Sequence, residues 1–251
     1  ESTAELEPGH TAASARRIAD ERIPSFETRR DRLGTRNRAA HPARGRNPRS
    51  VGHGRPPSDT NSASLNEREA NVLDPDYRTL TNFLVELGTD SVPHTGEKGF
   101  LAHLIGVHRD LESWGCERDV CRAGMFHSIY GTELFQKFSL PLSRRDEVKQ
   151  LIGERAERLT FVNCVMDRSS FDSLILSRGP YRITDRVSGA IIELDERDYH
   201  DLCVVHLCDW LEQVPRSKQW NYRRESYRNL AKRLGGIAQE SFDRVYALAD
   251  V

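Results

Sequence analysis

Histidines with a spacing that suits a metal site occur between residues 94 and 133. His103 ends the run His94-Thr-Gly-Glu-Lys-Gly-Phe-Leu-Ala-His103, and His127 ends Ala123-Gly-Met-Phe-His127. Apolar residues recur at helical spacing between the two, break at Gly115 and then resume. We therefore predict two packed antiparallel helices, each with one histidine. Imidazoles on facing helices can converge on one ion. The alternative is that both are ordinary core histidines.

A third candidate ligand lies far downstream, in the mostly apolar run Leu202-Cys-Val-Val-His206-Leu-Cys-Asp209. Burying the Asp209 carboxylate in such a helix is costly unless a metal ion or an arginine compensates its charge. His206 precedes it by three residues and therefore shares its helix face. We predict a divalent metal held by His103, His127 and Asp209, with His94 and His206 as additional ligands or as partners that orient a ligand.

Together these residues resemble the HD-domain superfamily of metal-dependent phosphohydrolases. Within it they are most similar to the RelA/SpoT type of guanosine tetraphosphate hydrolase domain. His94-Thr-Gly-Glu97 is similar to the family's segment before the first metal histidine, and His103 is similar to that histidine. His127 is similar to the histidine of the family's His-Asp pair, and Leu207-Cys-Asp209-Trp-Leu211 to its last helix with an aspartate. The resemblance covers roughly residues 78 to 235 and implies a mostly α, HD-like helical bundle.

Two positions depart from the pattern of that family. Ser128 stands where the family has the aspartate of its His-Asp pair, and Gly131-Thr132 stands where it has a catalytic Glu-Asp. The whole run Phe126-His-Ser-Ile-Tyr-Gly-Thr-Glu133 resembles an uncharacterised group of HD-like domains that share this His-Ser pair. The resemblance implies a bound Mn, Fe or Zn ion and a nucleotide or other phosphorylated small molecule as substrate. An HD-type diiron oxygenase and a catalytically inactive ligand-binding module stay open.

Candidate catalytic residues follow the second histidine. Glu133 and Asp167 are carboxylates that could manage a proton, and Tyr130 could donate its hydroxyl to substrate, although ordinary packing explains Tyr130 equally well. The segment 128–138 loses helical periodicity, and we expect it to pass over the mouth of the pocket. We assign substrate binding to His94, Gly96 and Arg168, the last as a phosphate clamp for which a structural salt bridge is the alternative.

The elements that position these residues belong to the second part of the chain. Residues 1–70 are rich in Arg, Pro, Ser and Gly and have almost no periodic apolar residues, which predicts a disordered extension. Residues 71–251 are predicted to form the helical domain, beginning with an amphipathic helix that starts at Pro75 and ends at Gly88. β-branched residues on both sides of Ser188-Gly189 predict one short β-hairpin inserted in this helical body.

Composition narrows the class of partner. The 251 residues include 37 basic and 38 acidic side chains, so no strong field indicates a nucleic acid or membrane partner. No apolar run approaches the ~20 residues of a membrane span. The five cysteines are odd in number and lack a Cys-x-x-Cys spacing, which favours reduced thiols. We expect a soluble intracellular, cytoplasmic protein. Organelle targeting by the Arg-rich extension and the oligomeric state stay open.

Overall fold

The computed structural model describes residues 74–250, and that part of the chain is mostly helical. It contains nine α-helices and one two-stranded sheet: α1 (Tyr77–Glu86), α2 (Phe100–Ser113), α3 (Arg118–Phe126), α4 (Arg145–Ile152), α5 (Glu154–Val165), α6 (Arg168–Leu174), β1 (Tyr181–Thr184), β2 (Ile191–Leu194), α7 (Glu196–Ser217), α8 (Arg224–Leu234) and α9 (Gly236–Tyr246). The predicted mostly α fold with a single hairpin is confirmed. The predicted extension, residues 1–70, lies outside the described residues.

The α2 and α3 helices form the antiparallel pair that was predicted around Gly115. This glycine adopts a φ of +74°, the left-handed conformation that lets the chain reverse after α2. The two helices approach each other closely at Gly124, because a Cβ there would overlap Leu111 and lie 3.3 Å from Val107 Cγ1. A small residue at this position allows α3 to pack directly on α2.

The longest helix of the described region, α7, has 22 residues and lies in the middle of the bundle. Its N-terminus is capped by Asp195, whose side chain accepts a hydrogen bond from the Asp198 backbone N–H at 2.7 Å. Every residue from Leu202 to Leu211 is buried, and α7 contacts α2, α3, α5, α8 and α9. A helix that is apolar on all sides needs such neighbours. Between residues 74 and 250, no helix combines the length and the hydropathy that crossing a bilayer requires.

The hairpin lies at one end of α7. Strands β1 and β2 pair antiparallel, with Tyr181 opposite Leu194 and Thr184 opposite Ile191. The turn between them contains Gly189 at a φ of +75°, as expected for a tight connection. Tyr181 packs flat on Tyr199 of α7, with ring centroids 4.2 Å apart. The hairpin therefore attaches to the helical body through this aromatic contact and through a backbone hydrogen bond from the Asp167 N–H to the Thr184 carbonyl oxygen at 2.8 Å.

A buried histidine on α2 makes the fold sensitive to acid. His108 is fully buried against Tyr77, and neither ring nitrogen has a hydrogen-bond partner among the described residues. Burial lowers the pKa of His108 to about 4, although Asp74 opposes the shift. Because the unfolded chain protonates this histidine near pH 6.5, the unfolded state binds more protons as the pH falls from about 6.5 to about 4. Stability is therefore lost across that interval.

We expect His108 to account for about 1–2 kcal/mol of the stability lost between pH 7.5 and pH 5. Denaturant unfolding of the chelator-treated protein at the two pH values measures it. In the His108→Leu variant the difference between the two pH values should shrink by that amount, while the variant of the exposed His200, His200→Ala, should behave as wild type. An unchanged pH difference in His108→Leu would show that the buried imidazole does not carry the effect.

Candidate metal centre

Three helices each direct one potential ligand to a common point. His103 lies in the first turn of α2, His127 follows the last residue of α3, and Asp209 lies in the middle of α7. All three are buried, with 0%, 2% and 7% of their surfaces exposed. The close approach at Gly124 places the end of α3 beside the start of α2, so helix packing brings the two histidines together.

The three side chains form a nearly equilateral triangle of donor atoms. His103 Nε2 is 3.1 Å from Asp209 Oδ1, His127 Nε2 is 3.3 Å from the same oxygen, and the two Nε2 atoms are 3.3 Å apart. The rings of His103 and His127 stand nearly perpendicular, at 83°. The group could hold a metal ion.

Hydrogen bonds to the other ring nitrogens fix which nitrogen of each histidine faces the centre. His127 Nδ1 donates to the Gly124 carbonyl oxygen at 2.8 Å, and His103 Nδ1 donates to Glu212 Oε2 at 2.5 Å. Since Nδ1 carries the proton in both rings, both neutral imidazoles direct an Nε2 lone pair inward. Two lone pairs and a carboxylate oxygen facing each other at these distances repel unless a cation lies between them.

The size of the triangle suits a first-row divalent ion. Ligand atoms about 2.1 Å from a shared ion lie about 3.0 Å apart at a right angle and about 3.4 Å apart at the tetrahedral angle. The measured separations of 3.1 and 3.3 Å fall between these values. Two imidazoles and one carboxylate are also a ligand set that Zn, Fe and Mn accept. The residues therefore fit such an ion in both spacing and chemistry.

Glu212 completes the surroundings of His103 and was missed in the sequence. Its carboxylate is contacted by Lys98 and by Arg216, the latter at 2.6 Å, so its charge is already balanced. Gly106 provides the space, because a Cβ there would lie 2.7 Å from Glu212 Oε1 and 2.8 Å from Lys98 Nζ. A carboxylate that holds the outer nitrogen of a ligand histidine fixes its orientation and raises its basicity.

Among residues 74–250, no lysine or arginine balances the charge of Asp209 in the same way. Apart from the two histidines, its Oδ1 accepts one hydrogen bond, from Gln213 Nε2 at 2.8 Å. Burial acts to raise the pKa of Asp209, but His127 and His103 hold it well below its usual range. Burial likewise acts to lower the pKa of His103, but Asp209 and Glu212 raise it above its ordinary value. The electrostatics thus call for a cation at the centre: either a proton on His103 or a metal ion.

Replacing Glu212 with glutamine is expected to weaken metal binding by about 10- to 100-fold. The amide oxygen still accepts a hydrogen bond from His103 Nδ1, but the negative charge that raises the basicity of His103 is lost. Zn²⁺ titration of the full chain against a competing chelator measures the change. The matched control is Glu225→Gln, since Glu225 is an exposed α8 residue that forms an ion pair with Arg228. Equal affinities in all three proteins would show that Glu212 does not support the site.

His94 and Gly96, assigned to substrate, lie in the loop that precedes α2. The His94 ring stacks on His103, with centroids 4.2 Å apart, and contacts Phe135 at 4.8 Å. Phe135 belongs to the segment that was expected to pass over the pocket mouth. Gly96 adopts a φ of +66°, and a Cβ there would lie 3.5 Å from Arg216 Cβ, so the loop packs closely on the end of α7. His94 is thus beside the centre, although it is not one of the three converging ligands.

His206 lies outside the converging group. Its Nε2 accepts a hydrogen bond from Arg223 Nη1 at 3.0 Å, and Phe171 and Tyr227 pack on its ring. Burial, together with Arg223 and Arg168, lowers the pKa of His206 well below its ordinary value. His206 and Asp209 share a helix face, but Arg223 donates to His206 Nε2 and so leaves the ring proton on Nδ1, which has no partner among residues 74–250.

The three predicted catalytic groups are engaged elsewhere. Tyr130 is buried and donates to Glu157 Oε1 at 3.1 Å. Asp167 caps α6 by accepting the Ser170 backbone N–H at 2.7 Å. Glu133 accepts the backbone N–H of Arg168 at 3.0 Å. The structure therefore brings Glu133, Asp167 and the predicted phosphate clamp Arg168 to one helix start, and it does not bring them into the group of donor atoms.

The described region is thus a mostly helical domain with a buried His-His-Asp group that could hold a metal ion. Residues 83–168 match the family model of a domain of unknown function, DUF6817. This segment includes His94, His103 and His127, whereas Asp209 lies beyond its end. The match assigns no reaction. No curated protein and no solved structure matches the chain.

Proposed function

We propose that the helical domain is an HD-like, metal-dependent phosphohydrolase in which His103, His127 and Asp209 hold one divalent ion. The observation that carries the proposal is the triangle of two Nε2 lone pairs and one carboxylate oxygen, 3.1 to 3.3 Å apart. Both imidazole orientations are set from outside by Glu212 and the Gly124 carbonyl oxygen. The resemblance to the HD superfamily supports the same three positions.

A protonated His103 between Asp209 and Glu212 is the competing explanation of the cluster. It would place the proton on Nε2, 3.1 Å from Asp209 Oδ1, but would leave the His127 Nε2 lone pair facing the Asp209 oxygen at 3.3 Å. A divalent ion satisfies all three donors at once, because each can direct a lone pair to it. This difference favours the metal over the proton.

In the proposed reaction the ion would supply Lewis acidity and lower the pKa of a bound water toward neutrality. The residues of this chain would bind and orient a nucleotide or other phosphorylated small molecule. We assign phosphate binding to Arg168 and proton transfer to Glu133 or Asp167, which meet at the start of α6. Tyr130 would require release of its hydrogen bond to Glu157 to reach substrate, so it is the weakest of these assignments.

Hydrolysis assays with the Mn²⁺-loaded full chain test the proposal. The substrates are guanosine tetraphosphate, simpler nucleotides and p-nitrophenyl phosphate. We expect release of phosphate or pyrophosphate that EDTA abolishes and that Asp209→Asn lacks. The variants Glu133→Gln, Asp167→Asn and Arg168→Ala test the roles assigned to these residues. A metal-loaded protein that releases neither phosphate nor pyrophosphate from any of these substrates would contradict the hydrolase assignment.

Two other functions give different outcomes in the same preparations. Bound iron with oxygen uptake would indicate an HD-type diiron oxygenase. Ligand binding by a protein that takes up no metal would indicate an inactive binding module. His103, His127 and Asp209 form one converging group of ligands among residues 74–250, which accounts for a single ion. A site with two metal ions would need a bridging carboxylate at the position that Ser128 occupies.

A further inference from the structure

The loop of residues 93–99, here called the His94 loop, is attached to the metal centre at two points. Its ends are paired, since Pro93 and Gly99 form an antiparallel bridge. Lys98 contacts Glu212, which holds His103. Thr95 donates its hydroxyl to Gln213 Oε1 at 3.3 Å, while Gln213 Nε2 donates to Asp209 Oδ1 at 2.8 Å. Two of the three ligands are therefore connected to this loop through one intervening side chain each.

The direction of the second connection fixes the state of the His94 ring. The ionised Asp209 carboxylate only accepts, so the Gln213 amide must present its NH₂ to Asp209 and its oxygen to Thr95. The Thr95 hydroxyl then uses its proton on Gln213 and accepts from His94 Nδ1, which lies 2.8 Å away. His94 therefore carries its proton on Nδ1 and a lone pair on Nε2, as do His103 and His127.

Packing holds the His94 ring beside the centre. The His94 ring lies 4.2 Å from the His103 ring at an angle of 27°, and Phe100 and Phe135 pack on it at 5.7 and 4.8 Å. Glu212, the other nearby donor, is already occupied by His103, Lys98 and Arg216. A divalent ion of this kind has four or more coordination positions, so three protein ligands leave at least one position open.

We propose that His94 is a fourth protein ligand of the ion, bound through Nε2 and brought to it by a short movement of the His94 loop. The assignment rests on the metal centre proposed above. Its consequence is that metal occupancy and the position of the loop are coupled, because the same loop carries His94 and the Thr95 link to Asp209. An ion with more than four coordination positions keeps room for water and substrate.

Counting the coordinated imidazoles tests the proposal. The full chain, loaded with Cu²⁺, is studied by pulsed electron paramagnetic resonance, and Co²⁺ affinity is measured in parallel. Wild type should show three imidazoles and His94→Ala two, with Co²⁺ affinity weakened at least about 10-fold. Thr95→Val should keep three imidazoles with a smaller loss of affinity, since it removes only the link. His200→Ala, an exposed α7 histidine, is the matched control.

The outcomes separate this proposal from the metal centre itself. Two imidazoles in both wild type and His94→Ala, with loss of the ion in Asp209→Asn, would overturn the His94 assignment and leave the centre intact. Reduced affinity in His94→Ala with an unchanged imidazole count would also overturn it, because His94 would then only position other groups. A wild-type chain that takes up neither Co²⁺ nor Cu²⁺ would overturn both.

Discussion

Replacing Asp209 with asparagine is expected to weaken Zn²⁺ or Mn²⁺ binding by at least about 100-fold. The amide has nearly the same shape as the carboxylate, so the helices keep their places while the central negative charge disappears. Loss of a side chain that only supports a ligand already lowers metal affinity by about 10- to 100-fold. In the proposed centre Asp209 is itself a ligand, because both histidines converge on its Oδ1 at 3.1 and 3.3 Å.

Competition titration with a chromogenic chelator measures this change, and thermal unfolding with and without Zn²⁺ provides an independent reading. Wild type should gain thermal stability with the ion, because a ligand that binds only the folded state stabilises it. Asp209→Asn should gain little. Asp243→Asn, an exposed change on α9, should match wild type. An Asp209→Asn variant that binds the ion as tightly as wild type would show that the Asp209 carboxylate is not a ligand.

Replacing Gly124 with alanine is expected to cost about 1–3 kcal/mol of folding stability, the usual range for overpacking a closed core. The added methyl would overlap Leu111, which is fully buried between α2 and α3. The core can accept it only if the Leu111 side chain or the two helices shift. The Gly124 carbonyl oxygen also holds His127, so a displacement of Gly124 should weaken metal binding.

A double-mutant cycle identifies the cause of this loss. Leu111→Ala alone should destabilise by about 2–5 kcal/mol through the cavity it leaves. Combined with Gly124→Ala, the loss should be smaller than the sum of the two, because the new methyl enters the space that Leu111 vacated. Strictly additive losses, measured by denaturant unfolding of the chelator-treated proteins, would show that overlap with Leu111 is not the mechanism.

The sequence was sufficient for features that depend on local spacing. Apolar periodicity with a break at Gly115 predicted the helix pair α2 and α3, and β-branched residues around Ser188-Gly189 predicted the hairpin. Both depend on neighbours within one or two turns of chain. The convergence of His103 with His127 required only that two such helices pack antiparallel, so it could also be predicted.

Features that depend on distant side chains were not predictable in this way. Glu212 meets His103 across 109 residues of chain, and Gln213 meets Thr95 across 118. One signal for Glu212 was present, since it follows Asp209 by three residues and shares its helix face. His206 shares that face as well, but Arg223, in a left-handed conformation before α8, donates to its ring. Periodicity contains no information about such a partner.

The most direct test of the metal centre is the metal content of the full chain purified without chelator, measured by plasma mass spectrometry for wild type, His103→Ala and Asp209→Ala. We expect about one equivalent of Mn, Fe or Zn in wild type and almost none in either variant, since each variant removes one of the three converging donors. Circular dichroism should show that both variants remain helical. A wild-type protein without metal, or equal metal in all three proteins, would contradict the assignment.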